Sequence, residues 1–146
     1  MALSPGVRDL NAALLQLNPA GDLAANLAEA VRGVERALGG GAELIVLPEG
    51  FAGVSAPVPE GPAAWARPPA QADQSPAIAP LLAQSRHSDA LLVLGGVSER
   101  AGPSKAYNSA LVLHRGRIVA RYRKMHRFDA DLAKFQEAAL AAVKAA

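Results

Sequence analysis

The stretch AELIVLPE, residues 42–49, is the strongest indication of the fold class, because it is apolar at four successive positions before it ends in Pro48 and Glu49. A strand with one solvated face alternates polar and apolar side chains, whereas an unbroken apolar run is typical of a parallel strand covered on both faces. The stretch therefore predicts a buried strand of an α/β fold. It also predicts that Glu49 lies at the carboxyl end of that strand, where open α/β sheets place their ligand sites.

The segments around that strand predict a βαβαβ unit. Residues 11–18 predict a short buried strand. Apolar side chains recur at three- and four-residue steps over residues 23–38, which follow Asp22 as a candidate N-cap and precede three glycines that stop a helix. Residues 75–76, a serine and a proline, predict the start of a second helix, and residues 91–96 predict a third buried strand. The crossovers between such strands should be right-handed.

After the third strand the sequence predicts a β-hairpin. Two strand-like runs, residues 107–114 and 117–123, are joined by an Arg-Gly pair, which suits a tight turn. Residues 50–75 lack periodicity and are rich in Pro, Ala and Gly, which predicts a long loop. Loops of that length are often functional, and a mobile excursion without a role is the alternative.

The end of the sequence differs in composition from the rest. Residues 131–146 are rich in alanine, and their larger apolar side chains recur at helical spacing. We therefore predict two segments. Residues 1–130 form a partial α/β domain, and residues 131–146 form a helical tail.

Composition narrows the class of protein. The sequence has 146 residues, of which 51% are hydrophobic and 19% charged, and its net charge is +2, values typical of one globular domain. So small a net charge argues for neither nucleic acid nor an anionic membrane as a partner. The first residues do not predict a secretory signal, and no apolar run approaches the roughly 20 residues needed to cross a bilayer. We expect a cytoplasmic protein.

Metal and cofactor sites are not predicted. The sequence contains no cysteine, and its three histidines, His87, His114 and His126, are widely separated. Without thiols, disulfides and thiolate metal sites are excluded, and the histidines lack the spacing of zinc ligands. Neither a Gly-x-Gly-x-x-Gly motif nor a phosphate-binding loop is present. We therefore expect no metal and no cofactor.

Charged residues crowd the last predicted strand. By strict alternation Arg117, Arg121 and Arg123 share one face, and Ile118 and Lys124 share the other, apolar face. Three arginines on one face are most simply a solvated surface. A nucleic-acid footprint is the alternative, but the interleaved aromatic residues of a single-strand binder are missing. A lysine that points inward needs a carboxylate partner, since an unpaired buried charge is costly.

Glu49 is the candidate partner of Lys124. A carboxylate beside a lysine can take a proton from a nucleophile while the ammonium group stabilises a developing oxyanion. Spacing alone leaves two interpretations open. The first is a buried Glu–Lys ion pair without chemistry, and the second is a pair of catalytic residues at neighbouring strand ends.

Five short segments occur in an order and at intervals that resemble those of a known family. The segments are residues 25–27 (Ala-Asn-Leu), 41–49, 95–96 (Gly-Gly), 107–109 (Tyr-Asn-Ser) and 121–129 (Arg-Tyr-Arg-Lys-Met-His-Arg-Phe-Asp). Together they resemble the nitrilase superfamily of carbon–nitrogen hydrolases, particularly its amidase-like branch, over residues 12 to about 130. The resemblance implies that Glu49 is the general base and that Lys124 stabilises the oxyanion.

The resemblance also implies a fold and a catalytic group that this sequence lacks. Members of the family fold as an αββα sandwich of two sheets and use a Glu-Lys-Cys triad, but no cysteine is present here. We therefore expect half of a nitrilase-like αββα sandwich with a C-terminal helix. Ser104 and Ser109 lie near the predicted hairpin, but neither stands in the Gly-x-Ser-x-Gly context of an activated serine.

Three functions remain open from the sequence. The first is a truncated carbon–nitrogen hydrolase that acts on a small amide only when completed and is inactive alone. The second is a non-catalytic binding or interaction module built on the same half-fold. The third is an unrelated small α/β binding domain. In the first two cases one sheet face lacks its covering layer, so self-association through that face is expected.

Overall fold

The computed structural model describes residues 8–19, 22–53, 66–102 and 106–126. In chain order the elements are β1 (Ala12–Leu14), α1 (Leu23–Gly39), β2 (Leu44–Leu47), a 3₁₀ helix (Pro69–Gln74), α2 (Ala79–Ser85), β3 (Leu91–Arg100), β4 (Ala106–His114) and β5 (Arg117–Arg123). None of the helices in these ranges has the length and apolar character that a membrane span requires. The helical tail predicted for residues 131–146 and its boundary at residue 130 lie outside the described residues.

The five strands form one sheet in the order β1-β2-β3-β4-β5. The first three strands are parallel, and β4 and β5 follow as an antiparallel hairpin against β3. Each parallel connection passes through a helix, as parallel pairing requires. Both helices pack on one face of the sheet. The predicted βαβαβ unit with a hairpin is confirmed.

Local signals set both ends of α1. The Asp22 carboxylate accepts a hydrogen bond of 2.8 Å from the Ala25 N–H and so caps the helix, a contribution of about 1 kcal/mol. At the other end Gly40 follows the last helical residue, and Gly41 has φ 75°, a left-handed conformation that glycine adopts without strain. The predicted N-cap and the glycine stop are confirmed.

The core lies between the helices and one sheet face, which we call the helix-covered face. Apolar side chains from α1 and α2 pack there on alternate residues of the central strands. The side chains that are at most 1% exposed include Val34, Ile45, Leu47, Leu81, Leu92, Leu94, Leu111 and Leu113. Full burial of one such side chain stabilises the fold by about 1.5–3 kcal/mol. This face therefore holds most of the apolar contacts that stabilise the described fold.

The opposite side of the sheet, which we call the open face, carries Leu44, Val46, Val93 and Val112. No helix among the described residues covers these side chains, which are half-buried. Leu14 on β1 is 78% exposed. The prediction of a buried first strand is therefore wrong, because β1 is an edge strand with a partner on one side and a helical layer on one face.

Two connections differ from the prediction. The helix α2 begins at Ala79 rather than at residue 75, because the Ser75 carbonyl accepts hydrogen bonds of 2.9 Å from the N–H groups of Ile78 and Ala79 and closes a turn first. Part of the predicted long loop forms the 3₁₀ helix at Pro69–Gln74. Residues 54–65 of that loop lie outside the described residues.

A two-residue turn joins β4 and β5, as predicted. Arg115 and Gly116 have φ values of 46° and 74°, and positive φ at both central positions matches the twist of a tight hairpin. The Gly116 N–H donates a hydrogen bond of 3.0 Å to the hydroxyl of Ser85, which is buried at the end of α2. The hairpin is therefore attached to the helical layer at its turn.

A bulge at Val119 reverses the side-chain alternation of β5, because the pairing with β4 shifts by one residue there. Ile118 packs against the core, and Arg121 lies opposite the buried Leu111, so both are on the helix-covered face. The prediction that Ile118 shares a face with Lys124 is wrong for this reason. Arg117, Arg121 and Arg123 are all exposed, as predicted for a solvated surface, but the bulge places Arg121 on the same face as Ile118.

Candidate active site

Glu49 and Lys124 meet on the open face of the sheet. The Lys124 ammonium group donates a hydrogen bond of 3.1 Å to Glu49 Oε1, so the predicted contact is confirmed. The expectation that their strands are neighbours is wrong, because β3 and β4 lie between β2 and β5. The chain leaves the sheet in a turn at Glu49 and Gly50, which frees the Glu49 side chain to extend over the two intervening strands.

Two glycines of β3 make room for this crossing. A Cβ atom at Gly96 would lie 2.9 Å from Glu49 Cγ and 2.9 Å from Asn108 Oδ1. A Cβ atom at Gly95 would collide with the carbonyl group of Leu47 on β2. The pairing of β3 with β4 shifts register at the same two glycines. Only residues without a side chain allow β2 and Glu49 to approach β3 so closely.

Asn108 is a third member of this site, and sequence reasoning assigned it no role. Its side-chain Nδ2 donates a hydrogen bond of 2.6 Å to Glu49 Oε1. Its carbonyl oxygen accepts a hydrogen bond of 2.8 Å from the Lys124 backbone N–H. One signal could have found it. Side chains alternate along β4, so Asn108 lies on the opposite face from Ser109 and Leu111. Asn108 therefore lies on the open face, together with Ala110.

The site is charged and partly solvated. The side chain of Glu49 is 54% exposed and that of Lys124 is 38% exposed, so the alternative of a buried ion pair does not describe it. The hydrogen bond from the Lys124 ammonium, and after it the hydrogen bond from the Asn108 amide, hold the pKa of Glu49 below its ordinary value. Glu49 is therefore ionised at neutral pH. An exposed pair of this kind contributes little to stability, because water competes for both groups.

A cavity of about 220 Å³ opens beside the Glu49 carboxylate. Its walls include Ala77, Ser98, Tyr107 and Asn108. The guanidinium group of Arg123 lies 4.0 Å from the centroid of the Tyr107 ring, a cation–π contact between the two strands of the hairpin. The cavity is smaller than the roughly 300–1,000 Å³ of sites for drug-sized ligands. It therefore suits a small group.

A buried carboxylate lies behind the site, on the helix-covered face. Glu99 is fully buried and accepts hydrogen bonds from the Ser109 hydroxyl (2.6 Å) and from Arg121 Nε (2.9 Å). Arg121 also donates a hydrogen bond of 3.0 Å to the Pro69 carbonyl and so ties the 3₁₀ helix to the sheet. Ser109 points away from Glu49 and cannot serve as its nucleophile. Ser104 lies outside the described residues.

The described residues contain no metal-binding cluster. No three side chains of His, Cys, Asp or Glu in these ranges lie close enough together to hold a metal ion.

Comparison with known proteins identifies the family of this chain. The family model described as carbon-nitrogen hydrolase matches residues 11–141. The chain belongs to the carbon–nitrogen hydrolase family. A curated relative in this family, "Omega-amidase, chloroplastic" of Arabidopsis thaliana, is 31% identical over 135 residues, which are 88% of this chain and 35% of the relative.

Solved structures share the fold with this carbon–nitrogen hydrolase chain. The C. elegans NitFhit protein superposes with a TM-score of 0.68 at 27% identity, over 82% of this chain and 29% of that chain. Saccharomyces cerevisiae Nit3, a member of branch 10 of the nitrilase superfamily, gives 0.64 at 25% identity, over 80% of this chain and 44% of that chain. The chain spans about a third of the curated relative and less than half of each of these two structures.

These similarities confirm the family and the partial nitrilase-like α/β fold that the sequence predicted. They assign no role to a particular residue. The catalytic roles of Glu49 and Lys124 therefore stay predictions.

Proposed function

We propose that this chain supplies the general base and the oxyanion-stabilising cation of an amidase-type carbon–nitrogen hydrolase. The observation that carries the proposal is the contact between Lys124 Nζ and Glu49 Oε1, 3.1 Å long and beside a cavity of about 220 Å³. Family membership and the omega-amidase relative support a small amide as the substrate. The 146 residues include no cysteine. The proposal is therefore a truncated hydrolase that is inactive alone.

The chemistry proposed for the two residues is acyl transfer through a thioester. A cysteine thiol from outside the 146 residues gives its proton to the Glu49 carboxylate while its sulfur attacks the amide carbonyl carbon. The negative charge that develops on the carbonyl oxygen is stabilised by the Lys124 ammonium group. Glu49 then passes the proton to the leaving amine, and the restored carboxylate activates the water that hydrolyses the thioester.

The purified chain is expected to show no turnover of a simple ω-amide. Loss of the nucleophile from a catalytic triad lowers kcat by about 10⁶-fold. Ammonia release should equal that of a Glu49→Gln variant. The matched control is Glu43→Gln, because Glu43 is also a partly exposed carboxylate in an ion pair, with Arg8. Ammonia release that Glu49→Gln abolishes and Glu43→Gln leaves intact would contradict the proposal and reveal a substitute nucleophile.

The open face favours a second candidate function, a non-catalytic interaction module. Leu91 is 41% exposed there and Leu14 is 78% exposed. They adjoin the half-buried pair Val93 and Val112, which lie opposite each other on β3 and β4. Burial of apolar surface stabilises an assembly by about 25 cal/mol per Å². We propose that two copies of the chain associate through this face.

Sedimentation at micromolar concentration is expected to show a dimer of the wild-type chain. Val112→Lys places a charge at the centre of the open face and should shift the population to monomer. Ala83→Lys is the matched control, because Ala83 is exposed on α2 in the helical layer, and it should leave the dimer intact. A monomeric wild-type chain, or a dimer that Val112→Lys does not weaken, would rule out association through the open face.

A further inference from the structure

Both hydrogen bonds to the Glu49 carboxylate arrive at the same oxygen. Asn108 Nδ2 lies 2.6 Å from Oε1, and Lys124 Nζ lies 3.1 Å from Oε1. Among the described residues, none donates a hydrogen bond to Oε2. The two oxygens of this carboxylate are therefore not equivalent.

We infer that Asn108 is the positioning residue of the general base, and that it holds Glu49 so that Oε2 is the atom that accepts the proton of the nucleophile. The inference rests on the proposed role of Glu49 as base. It deepens that role, because it names the accepting atom and the residue that selects it.

Asn108 is better suited than Lys124 to fix the carboxylate. A lysine ammonium ends a flexible four-carbon stem and carries three equivalent donors, so it follows the carboxylate wherever it turns. Asn108 has a short planar amide on a strand with partners on both sides. Its carbonyl oxygen also accepts the Lys124 backbone N–H at 2.8 Å. Asn108 thus holds the Glu49 carboxylate with its side chain and the Lys124 backbone with its carbonyl group.

The Glu49 carboxylate sets the orientation of the Asn108 amide, and Gly96 leaves the space that the amide needs. A Cβ atom at Gly96 would lie 2.9 Å from Asn108 Oδ1, so that oxygen packs closely against the β3 backbone. The amide nitrogen faces Glu49 and donates to Oε1. The opposite orientation would direct the amide oxygen at an ionised carboxylate, where two acceptors repel each other.

This arrangement couples proton transfer to oxyanion stabilisation. The thiol S–H bond breaks, its electron pair stays on sulfur, and the proton forms a bond to Oε2. Glu49 becomes neutral, which weakens its attraction for the Lys124 ammonium group. The positive charge of Lys124 is then available to the carbonyl oxygen at the step in which that oxygen becomes negative.

The test is a pH titration of the Glu49 carboxyl carbon by NMR in the chain itself. Asn108→Ala is expected to raise the Glu49 pKa towards its ordinary value, because one of the two donors that lower it is lost. In the wild-type chain the Asn108 side-chain amide protons should follow the same titration. Ser98→Ala is the matched control. Ser98 lies opposite Asn108 and lines the same cavity, but its hydroxyl makes no hydrogen bond with the described residues.

The sign of the pH dependence follows from the lowered pKa. A carboxyl group with a depressed folded-state pKa stabilises the fold above its ordinary pKa, and that contribution is lost as the pH falls through the folded-state pKa. Because Asn108→Ala raises the folded-state pKa of Glu49, the variant should lose this stabilisation at a higher pH than the wild-type chain does. Asn108→Asp should raise the Glu49 pKa further than Asn108→Ala does, because a second carboxylate repels the first.

The outcomes separate this inference from the proposed function. Lys124→Met is titrated in parallel and should also raise the Glu49 pKa. If Lys124→Met raises it and Asn108→Ala does not, the positioning role is wrong and the Glu49–Lys124 pair stands. If neither variant changes the titration, the pair does not form in solution, and the inference fails together with the proposed function. Retention of the Lys124 backbone N–H signal in Asn108→Ala verifies that the hairpin is still folded.

Discussion

Replacing Gly95 with alanine is expected to lower the free energy of unfolding by about 3 kcal/mol or more, at the upper end of what overpacking costs. The added Cβ would meet three backbone atoms at the end of β2. They are the carbonyl oxygen of Leu47, the carbonyl carbon of Pro48 at 2.7 Å and the amide nitrogen of Glu49 at 2.9 Å. Backbone atoms cannot rotate away as the end of a flexible side chain can. The end of β2 must therefore separate from β3, and Glu49 moves with it.

Urea denaturation followed by circular dichroism measures this effect. Gly39→Ala is the matched control, because Gly39 is the last residue of α1 and no heavy atom lies within 4 Å of the position that an alanine Cβ would take there. In a helix alanine is more favourable than glycine by about 1 kcal/mol, so Gly39→Ala should be neutral or slightly stabilising. If Gly95→Ala is as stable as Gly39→Ala, the close approach of β2 and β3 is not present in solution.

Replacing Glu99 with alanine is expected to cost about 3 kcal/mol, the lower end of what breaking a buried ion pair costs, because the remaining cation is partly exposed. The Glu99 side chain is 1% exposed, and that of Arg121 is 30% exposed. The variant leaves the Arg121 guanidinium without its carboxylate and the buried Ser109 hydroxyl without its acceptor. Without the Arg121–Glu99 bond, β5 should be held less firmly against the sheet, and Lys124 follows directly after β5.

Two further variants test whether the cost comes from the unpaired charge. Asp89→Ala breaks the exposed pair with Arg115 and should cost less than about 1 kcal/mol. The double variant Glu99→Leu with Arg121→Met removes both charges and should recover the part of the loss that comes from the unpaired guanidinium, since apolar residues of similar volume often replace an ion pair at little cost. If the double variant is as unstable as Glu99→Ala, packing or the bond to Pro69 carries the stability instead.

The order of the elements was predictable because each depends on neighbouring residues. The unbroken apolar run at residues 44–47 indicated a covered parallel strand, and Asp22 with the glycines after residue 38 marked the ends of α1. The Arg115–Gly116 pair marked the hairpin turn. These signals act over a few residues, so no knowledge of the tertiary fold was needed to interpret them.

The errors have a common physical reason. The exposure of β1 depends on its position at the edge of the sheet, and the composition of the strand does not reveal that position. The start of α2 depends on a turn closed by the Ser75 carbonyl. The bulge at Val119 placed the exposed Arg121 on the helix-covered face, where its guanidinium pairs with the buried Glu99. A shift of one residue in pairing reverses every later side chain, and pairing is a property of two strands together.

Local sequence patterns were sufficient to predict the family, the order of helices and strands, and Glu49 and Lys124 as candidate site residues. The folded structure was needed to see that these two side chains meet across two intervening strands, that Asn108 joins them, and that Gly96 leaves the space they need. Helix caps, apolar runs and turns act between residues close in sequence and leave a local pattern. The site depends on the register of the sheet and on the missing side chain of Gly96. Together they allow atoms that are far apart in the sequence to come into contact.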